Sequence, residues 1–135
     1  MTDFKAIKGF TVQSIATDPV PSAAGSWASG GNMNTARYAL EGAGTQTAAL
    51  AFGGDSGSYN GITESYDGIS WTEVADLNTV KGFFGACGLQ TAALAFGGGP
   101  GTTANTELWN GSGWTELNNL NTARRQNAGL GISTA

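Results

Sequence analysis

The stretch QTAALAFGG occupies residues 46–54 and returns unchanged at residues 90–98, displaced by 44 positions. Trp27, Trp71 and Trp114 keep nearly the same interval, with separations of 44 and 43 residues. A triplet of an apolar residue, Asn and Thr also recurs at this spacing, at residues 33–35, 77–79 and 120–122. These repetitions fix a structural repeat and predict a fold built from stacked, near-identical units.

The sequence of one repeat predicts four β-strands. In the central copy, short apolar or β-branched runs lie at residues 37–44, 47–52, 63–66 and 70–74. The second run ends in Gly53-Gly54, which suits a turn with positive φ, and Asp67-Gly68 is a hairpin dipeptide between the third and fourth runs. No long helical stripe is present. The repeat therefore predicts a four-stranded antiparallel sheet, the size of one β-propeller blade.

The residues inside each repeat indicate how neighbouring blades would pack. Alanine-rich strands suit the crowded axis of a propeller, and the recurring Trp and its aromatic neighbour, Tyr66 or Trp109, would be buried between blades. The single cysteine, Cys87, fits a small buried strand residue. Arg37 is replaced by Lys81 at the equivalent position of the next copy. We interpret both residues, together with Arg124 and Arg125, as solvated residues at strand starts.

The chain divides into a leader at residues 1–22 and repeats at residues 23–135, with two complete blades and a partial third. The leader matches the repeat weakly and is either a pair of strands in a mixed closing blade or an assembly arm. About three blades per chain do not close a ring, since propellers need at least four. We therefore expect a homo-oligomer with six blades, formed by two chains, or by three chains if the leader is an arm.

Composition excludes several classes of partner. The 135 residues carry a net charge of −4 without any block of like charges, so nucleic-acid binding is not expected. No run reaches the roughly 18 apolar residues of a membrane span, and the amino terminus lacks the apolar core of a secretion signal. We expect a protein that is made in a cytoplasm and is not inserted into a membrane.

The side chains available for chemistry argue against an enzyme. There is no histidine and only one cysteine, which removes catalytic triads and the usual transition-metal ligand sets. Asp55-Ser56-Gly57 resembles a protease tripeptide but has no catalytic partner in the chain. No phosphate-binding loop occurs. We expect no catalytic residue, cofactor or metal, and place a candidate ligand site in the loop after the first Gly pair, at Asp55, Tyr59 and Asn60, because Tyr59 is an aromatic outside the repeat pattern.

The Gly pair, followed by TESYDGISW and TELWNGSGW, resembles the kelch repeat over residues 25–135. That resemblance implies a β-propeller but no particular activity. A narrower likeness, carried by residues 33–37 and 44–54 and by the opening KAIKGFTVQSIATDP, is to kelch-like repeats in tail and structural proteins of marine phages and cyanophages.

The narrower likeness implies a function in a virus particle. The expected role is a non-catalytic oligomeric propeller that serves as a tail fibre, another structural component of the phage virion, or a host-receptor-binding part. Its partners would be itself, other virion proteins and host surface glycans. The alternative is a free carbohydrate-binding propeller, a lectin.

Overall fold

The computed structural model describes residues 28–132, which form two four-stranded antiparallel sheets and no helix. The first sheet contains β1 (Glu41–Thr45), β2 (Ala48–Phe52), β3 (Thr63–Tyr66) and β4 (Trp71–Val74). The second contains β5 (Gly85–Leu89), β6 (Ala92–Phe96), β7 (Thr106–Trp109) and β8 (Trp114–Leu117). Strand order follows chain order in both sheets. The prediction of an all-β protein with four-stranded antiparallel repeats is confirmed for this part of the chain.

Strand boundaries agree with the sequence except at the start of the repeat. The predicted third strand, residues 63–66, matches β3, and the second and fourth begin within one residue of their predicted positions. The first was predicted from residue 37 but begins at Glu41, so that prediction was wrong for residues 37–40. The physical reason is that Ala39 has a φ of 53°, which interrupts extended backbone.

The partial third blade at the end of the chain stays a prediction. Residues 118–132 contain no strand, although the backbone N–H of Gly88 in β5 donates to the carbonyl of Gly131 at 3.1 Å. A first strand is held in its sheet by a second strand, and no described residue pairs with this segment in that way. The predicted leader at residues 1–22, Trp27 and residues 133–135 lie outside the described residues.

The two sheets pack face to face through aromatic rings. Trp114 of the second sheet lies against Phe52 of the first, with ring centroids 4.8 Å apart, and its indole N–H donates to the Thr63 hydroxyl at 3.1 Å. Phe84 packs on the same Phe52 ring at 5.8 Å. Gly53 must lack a side chain, because an added Cβ would lie 2.7 Å from the Phe84 ring. The predicted packing of the periodic Trp between repeats is confirmed at Trp114.

Hydrogen bonds to the backbone fix the same contact. The Gln90 side-chain amide, from the turn between β5 and β6, donates to the carbonyl of Tyr66 at 2.6 Å and to the Ser65 hydroxyl at 3.0 Å. The first strands of the two sheets, β1 and β5, lie next to each other. Small residues at this junction allow the close approach, as the alanine and glycine content of these strands predicted.

Candidate functional site

Each sheet contains a buried ion pair that joins it to the connection entering it. Arg37 Nη2 lies 3.2 Å from Glu64 Oε1 in the first sheet, and Lys81 Nζ lies 3.4 Å from Glu107 Oε1 in the second. All four side chains are fully buried. The interpretation of Arg37 and Lys81 as solvated residues was therefore wrong, because each chain segment turns inward and places its cation on a glutamate of the third strand.

The Asn-Thr part of the recurring triplet completes these ion pairs. The backbone N–H of Asn34 donates to Glu64 Oε2 at 2.7 Å, and that of Asn78 donates to Glu107 Oε2 at 2.8 Å. The Asn side chains extend further and donate to the carbonyls of the fourth-strand tryptophans at 3.0 Å in both copies. We call these two arrangements the glutamate clamps; their members are Asn34, Thr35, Arg37 and Glu64, and Asn78, Thr79, Lys81 and Glu107.

The glutamate clamps are structural. Burial lowers the pKa of Lys81, and the adjacent Glu107 carboxylate opposes that shift; the pKa of Arg37 is lowered by burial in the same way and supported by Glu64. Neither carboxylate is accessible to a ligand, since both glutamates are 0% exposed. Buried charges of this kind are tolerated because each is paired and hydrogen-bonded.

A second group of side chains is aromatic and accessible, whereas the glutamate clamps are charged and buried. The rings of Tyr38 and Phe83 have centroids 6.4 Å apart at an interplanar angle of 68°, and those of Tyr59 and Phe83 are 6.5 Å apart at 88°. Tyr38 is 58% exposed and Phe83 is 38% exposed. We call Tyr38, Tyr59, Phe83 and the neighbouring Asp55 the aromatic surface.

The backbone around Asp55 holds the aromatic surface together. Tyr38 and Asp55 exchange backbone hydrogen bonds of 3.0 and 2.8 Å, and a side-chain hydrogen bond to Asp55 raises the pKa of Tyr38. The Asp55 carboxylate also accepts the backbone N–H of Gly57 at 2.8 Å through Oδ1. The register of β2 and β3 places this loop at the end of the sheet opposite the Asp67-Gly68 turn.

The three predicted ligand residues have different positions. Asp55 and Tyr59 are half-buried and belong to the aromatic surface, with the Tyr59 ring lying over Gly82. Both ends of the Asn60 amide bond within the loop, to the Ser56 hydroxyl and to the backbone N–H of Ile62, each at 3.3 Å. Asn60 thus shapes the loop that presents the other two residues.

Sequence reasoning missed Tyr38 and Phe83 as members of this surface. A signal was present, because the repeat places Gly82 and Arg125 at the position of Tyr38. Phe83 likewise replaces the Ala39 of the first copy. An aromatic residue at a position where the other copies carry none is not required by the packing of the repeats.

A cleft of about 610 Å³ lies where the first strands meet, lined mainly by small residues that include Ala43, Ala86, Cys87 and Gly129. Cys87 is half-buried there. Within residues 28–132, no three side chains with metal-ligating groups come together, and no helix is long and apolar enough to cross a membrane. Glu41 also lines the cleft, and burial raises the pKa of its carboxyl group. We place the candidate site at the aromatic surface because its rings are clustered and accessible.

No protein-family model matches the chain, and a search of curated proteins found no significant match.

Proposed function

We propose that this protein is a non-catalytic subunit of a β-propeller with kelch-like blades that is closed by several copies of the chain. The two sheets are its blades, and the second sheet of one copy packs against the first sheet of the next. In this proposal the ring is a structural or host-recognising component of a phage virion.

The observation that carries the assembly is the unequal burial of two identical strands. β2 and β6 have the same sequence, AALAF. Leu50 and Phe52 of β2 are 1% and 0% exposed because the second sheet covers them, whereas their counterparts Leu94 and Phe96 are only half-buried. The face of the second sheet that carries Leu94 and Phe96 therefore lacks, among the described residues, the neighbour that its twin in the first sheet has.

The first sheet carries the complementary half of this contact. Trp71 and Gln46 are the repeat counterparts of Trp114 and Gln90, which fasten the second sheet to the first, yet Gln46 is exposed and Trp71 is half-buried. Trp71 donates instead to the carbonyl of Gly31 at 3.1 Å. Two unlike faces that complete each other make a heterologous interface, and such interfaces close into rings when the rotation permits.

Native mass spectrometry of the full chain tests the assembly. We expect one closed species of two or three chains, and Gln46→Arg should shift it towards the monomer by placing a charge in the contact. Ile69→Arg is the matched control, since it adds the same charge at a side chain that is 81% exposed at the tip of the β3–β4 hairpin. A monodisperse monomer of the unaltered chain at micromolar concentration would overturn the proposed ring.

The proposed role in a phage virion is supported by residues 33–37 and 44–54, the segments that resemble phage tail and structural proteins. These segments contain Arg37 of the first glutamate clamp and strand β2, which packs against the second sheet. It predicts that peptides of this chain occur in virus particles purified from cultures of the organism that carries the gene. Their absence from such particles, with the protein present in the cell extract, would favour the free carbohydrate-binding alternative.

A further inference from the structure

The residues of the aromatic surface are not part of the repeated sequence pattern that forms the two sheets. The positions of Tyr38 and Phe83 carry Gly82 and Ala39 in the neighbouring copy, and the loop corresponding to that of Tyr59, residues 99–105, has no aromatic residue. The first copy carries Ala39 where the second carries Phe83, and the second copy carries Gly82 where the first carries Tyr38, so each sheet folds without the ring that the other has at that position. Folding of the repeat therefore does not account for them.

Their placement is also unfavourable for a purely structural role. Phe83 has a φ of 54°, in the left-handed region that bulky residues rarely adopt, and the residue is more than a third exposed. Ala39 and Gln126, its repeat counterparts, have φ values of 53° and 57°. The backbone conformation thus belongs to the repeat, whereas the exposed aromatic side chain belongs to this site alone. Exposed aromatic rings that cluster in one place mark binding surfaces.

The chemistry of the surface is a combination of ring faces and a hydrogen-bond acceptor. The rings meet edge to face, at interplanar angles of 68° and 88°, so Tyr38 and Tyr59 each keep at least one face that the Phe83 ring does not cover. Asp55 uses Oδ1 for Gly57 and presents an acidic acceptor beside Tyr38. A sugar matches both features, because its C–H face packs on an aromatic ring and its hydroxyls donate to a carboxylate.

We propose that the aromatic surface binds neutral glycans, with Tyr38 and Phe83 packing on the sugar ring and Asp55 accepting its hydroxyls. This inference rests on the recognition part of the proposed function and names its ligand class. Charge selects neutral sugars over acidic ones and over nucleic acid, because Asp55 repels carboxylates and phosphates and the whole chain carries a net charge of −4.

Binding of the full chain to an array of immobilised neutral oligosaccharides, followed by calorimetry with the best free oligosaccharide, tests the proposal. We expect Tyr38→Ala and Phe83→Gln each to weaken binding about tenfold by removing a ring face. Phe83→Gln preserves the fold because Gln126 holds the same backbone conformation in the next copy. Ile69→Ala, at the opposite end of the first sheet, should leave binding unchanged.

Two results would overturn this assignment. The first is that the chain, shown by circular dichroism to be folded, binds no neutral glycan; binding to acidic glycans alone counts as this result. The other is binding that Tyr38→Ala and Phe83→Gln leave intact or that Ile69→Ala weakens equally. Native mass spectrometry of each variant distinguishes failure of this proposal from failure of the proposed ring. If a monomer binds the glycan, the glycan site stands and the ring is refuted. If an intact ring binds no sugar, the ring stands and the glycan site is refuted.

Discussion

The two glutamate clamps differ in their cation, and exchanging that cation tests what holds each sheet to the connection that enters it. Arg37 donates through Nη1 to the carbonyl of Ile62 at 2.7 Å and through Nη2 to that of Ala51 at 3.2 Å, in addition to its ion pair. Lys81 Nζ is buried, and among the described residues it has only the ion pair with Glu107, at a distance longer than a good hydrogen bond. Lys81→Arg is therefore expected to stabilise the protein.

The magnitude follows from the acceptors that a guanidinium would reach. Asn105 accepts a bond from Gly97 just as Ile62 accepts one from Gly53, so the second sheet presents an equivalent carbonyl. Ala95 is the counterpart of Ala51 in the repeat. Two new bonds contribute about 1 kcal/mol each, and the added volume in a packed interior subtracts up to about 1 kcal/mol. We expect a net gain of about 1–2 kcal/mol, or roughly 4–8 °C in Tm.

Urea unfolding followed by tryptophan fluorescence, at one fixed protomer concentration, measures this change. The reverse exchange, Arg37→Lys, should cost about 2 kcal/mol by losing both bonds. Lys81→Met should cost about 3 kcal/mol, because it leaves the Glu107 carboxylate buried without a cation while its backbone hydrogen bonds remain. If both exchanges of Arg and Lys change the free energy of unfolding by less than about 0.5 kcal/mol, the guanidinium bonds do not stabilise the fold and the reasoning fails.

Two further substitutions test local features. Backbone hydrogen bonds from Ser70 and then Ile69 lower the pKa of Asp67, so its stabilisation is present above the ordinary Asp pKa and is lost as the pH falls through the folded value. Asp67→Asn, which introduces the residue found at the equivalent position 110, should leave stability at neutral pH unchanged and remove that loss of stability in acid. Urea midpoints measured at several pH values test this, and a variant with the same pH profile as the unaltered chain would contradict it. Gly82→Ala would place a Cβ 2.5 Å from the Tyr59 ring and should cost about 1–3 kcal/mol in thermal or urea unfolding. Gly113→Ala, where a Cβ meets nothing within 4 Å, should change stability by less than about 0.5 kcal/mol, and equal effects at the two glycines would argue against the contact.

The sheets were predictable because their signals are local and repeated. Alternation, the Gly pair and the Asp67-Gly68 turn each act within a few residues, and the second copy confirms the boundaries of the first. The inward turn before Glu41 was not predictable in this way. It depends on a contact between Arg37 and Glu64, which are 27 positions apart, and the residues next to an isolated arginine do not show that it will be buried.

The sequence did contain a signal for the glutamate clamps, because a cation and a glutamate recur together at nearly the same separation in both repeats. The second clamp repeats the first at a spacing of 26 positions, between Lys81 and Glu107, so cation and glutamate recur together while most other charges do not. The aromatic surface has the opposite signature, since its members do not recur. Recognising it required the connections between sheets to be placed in space, which no local pattern specifies.

The separation between recurring and non-recurring residues would allow one scaffold to combine the proposed assembly with the proposed glycan recognition. Recurring side chains are constrained because each sheet must fit the same kind of neighbour. At the connections, the backbone is fixed instead by its own hydrogen bonds, from Gln126 N–H to the carbonyl of Phe83 at 2.6 Å and from Phe83 N–H to that of Ala39 at 3.1 Å. The three residues share nearly the same φ despite unrelated side chains. A side chain at this position can therefore change without moving the backbone, which lets a surface acquire a ligand while the packing of the sheets is retained.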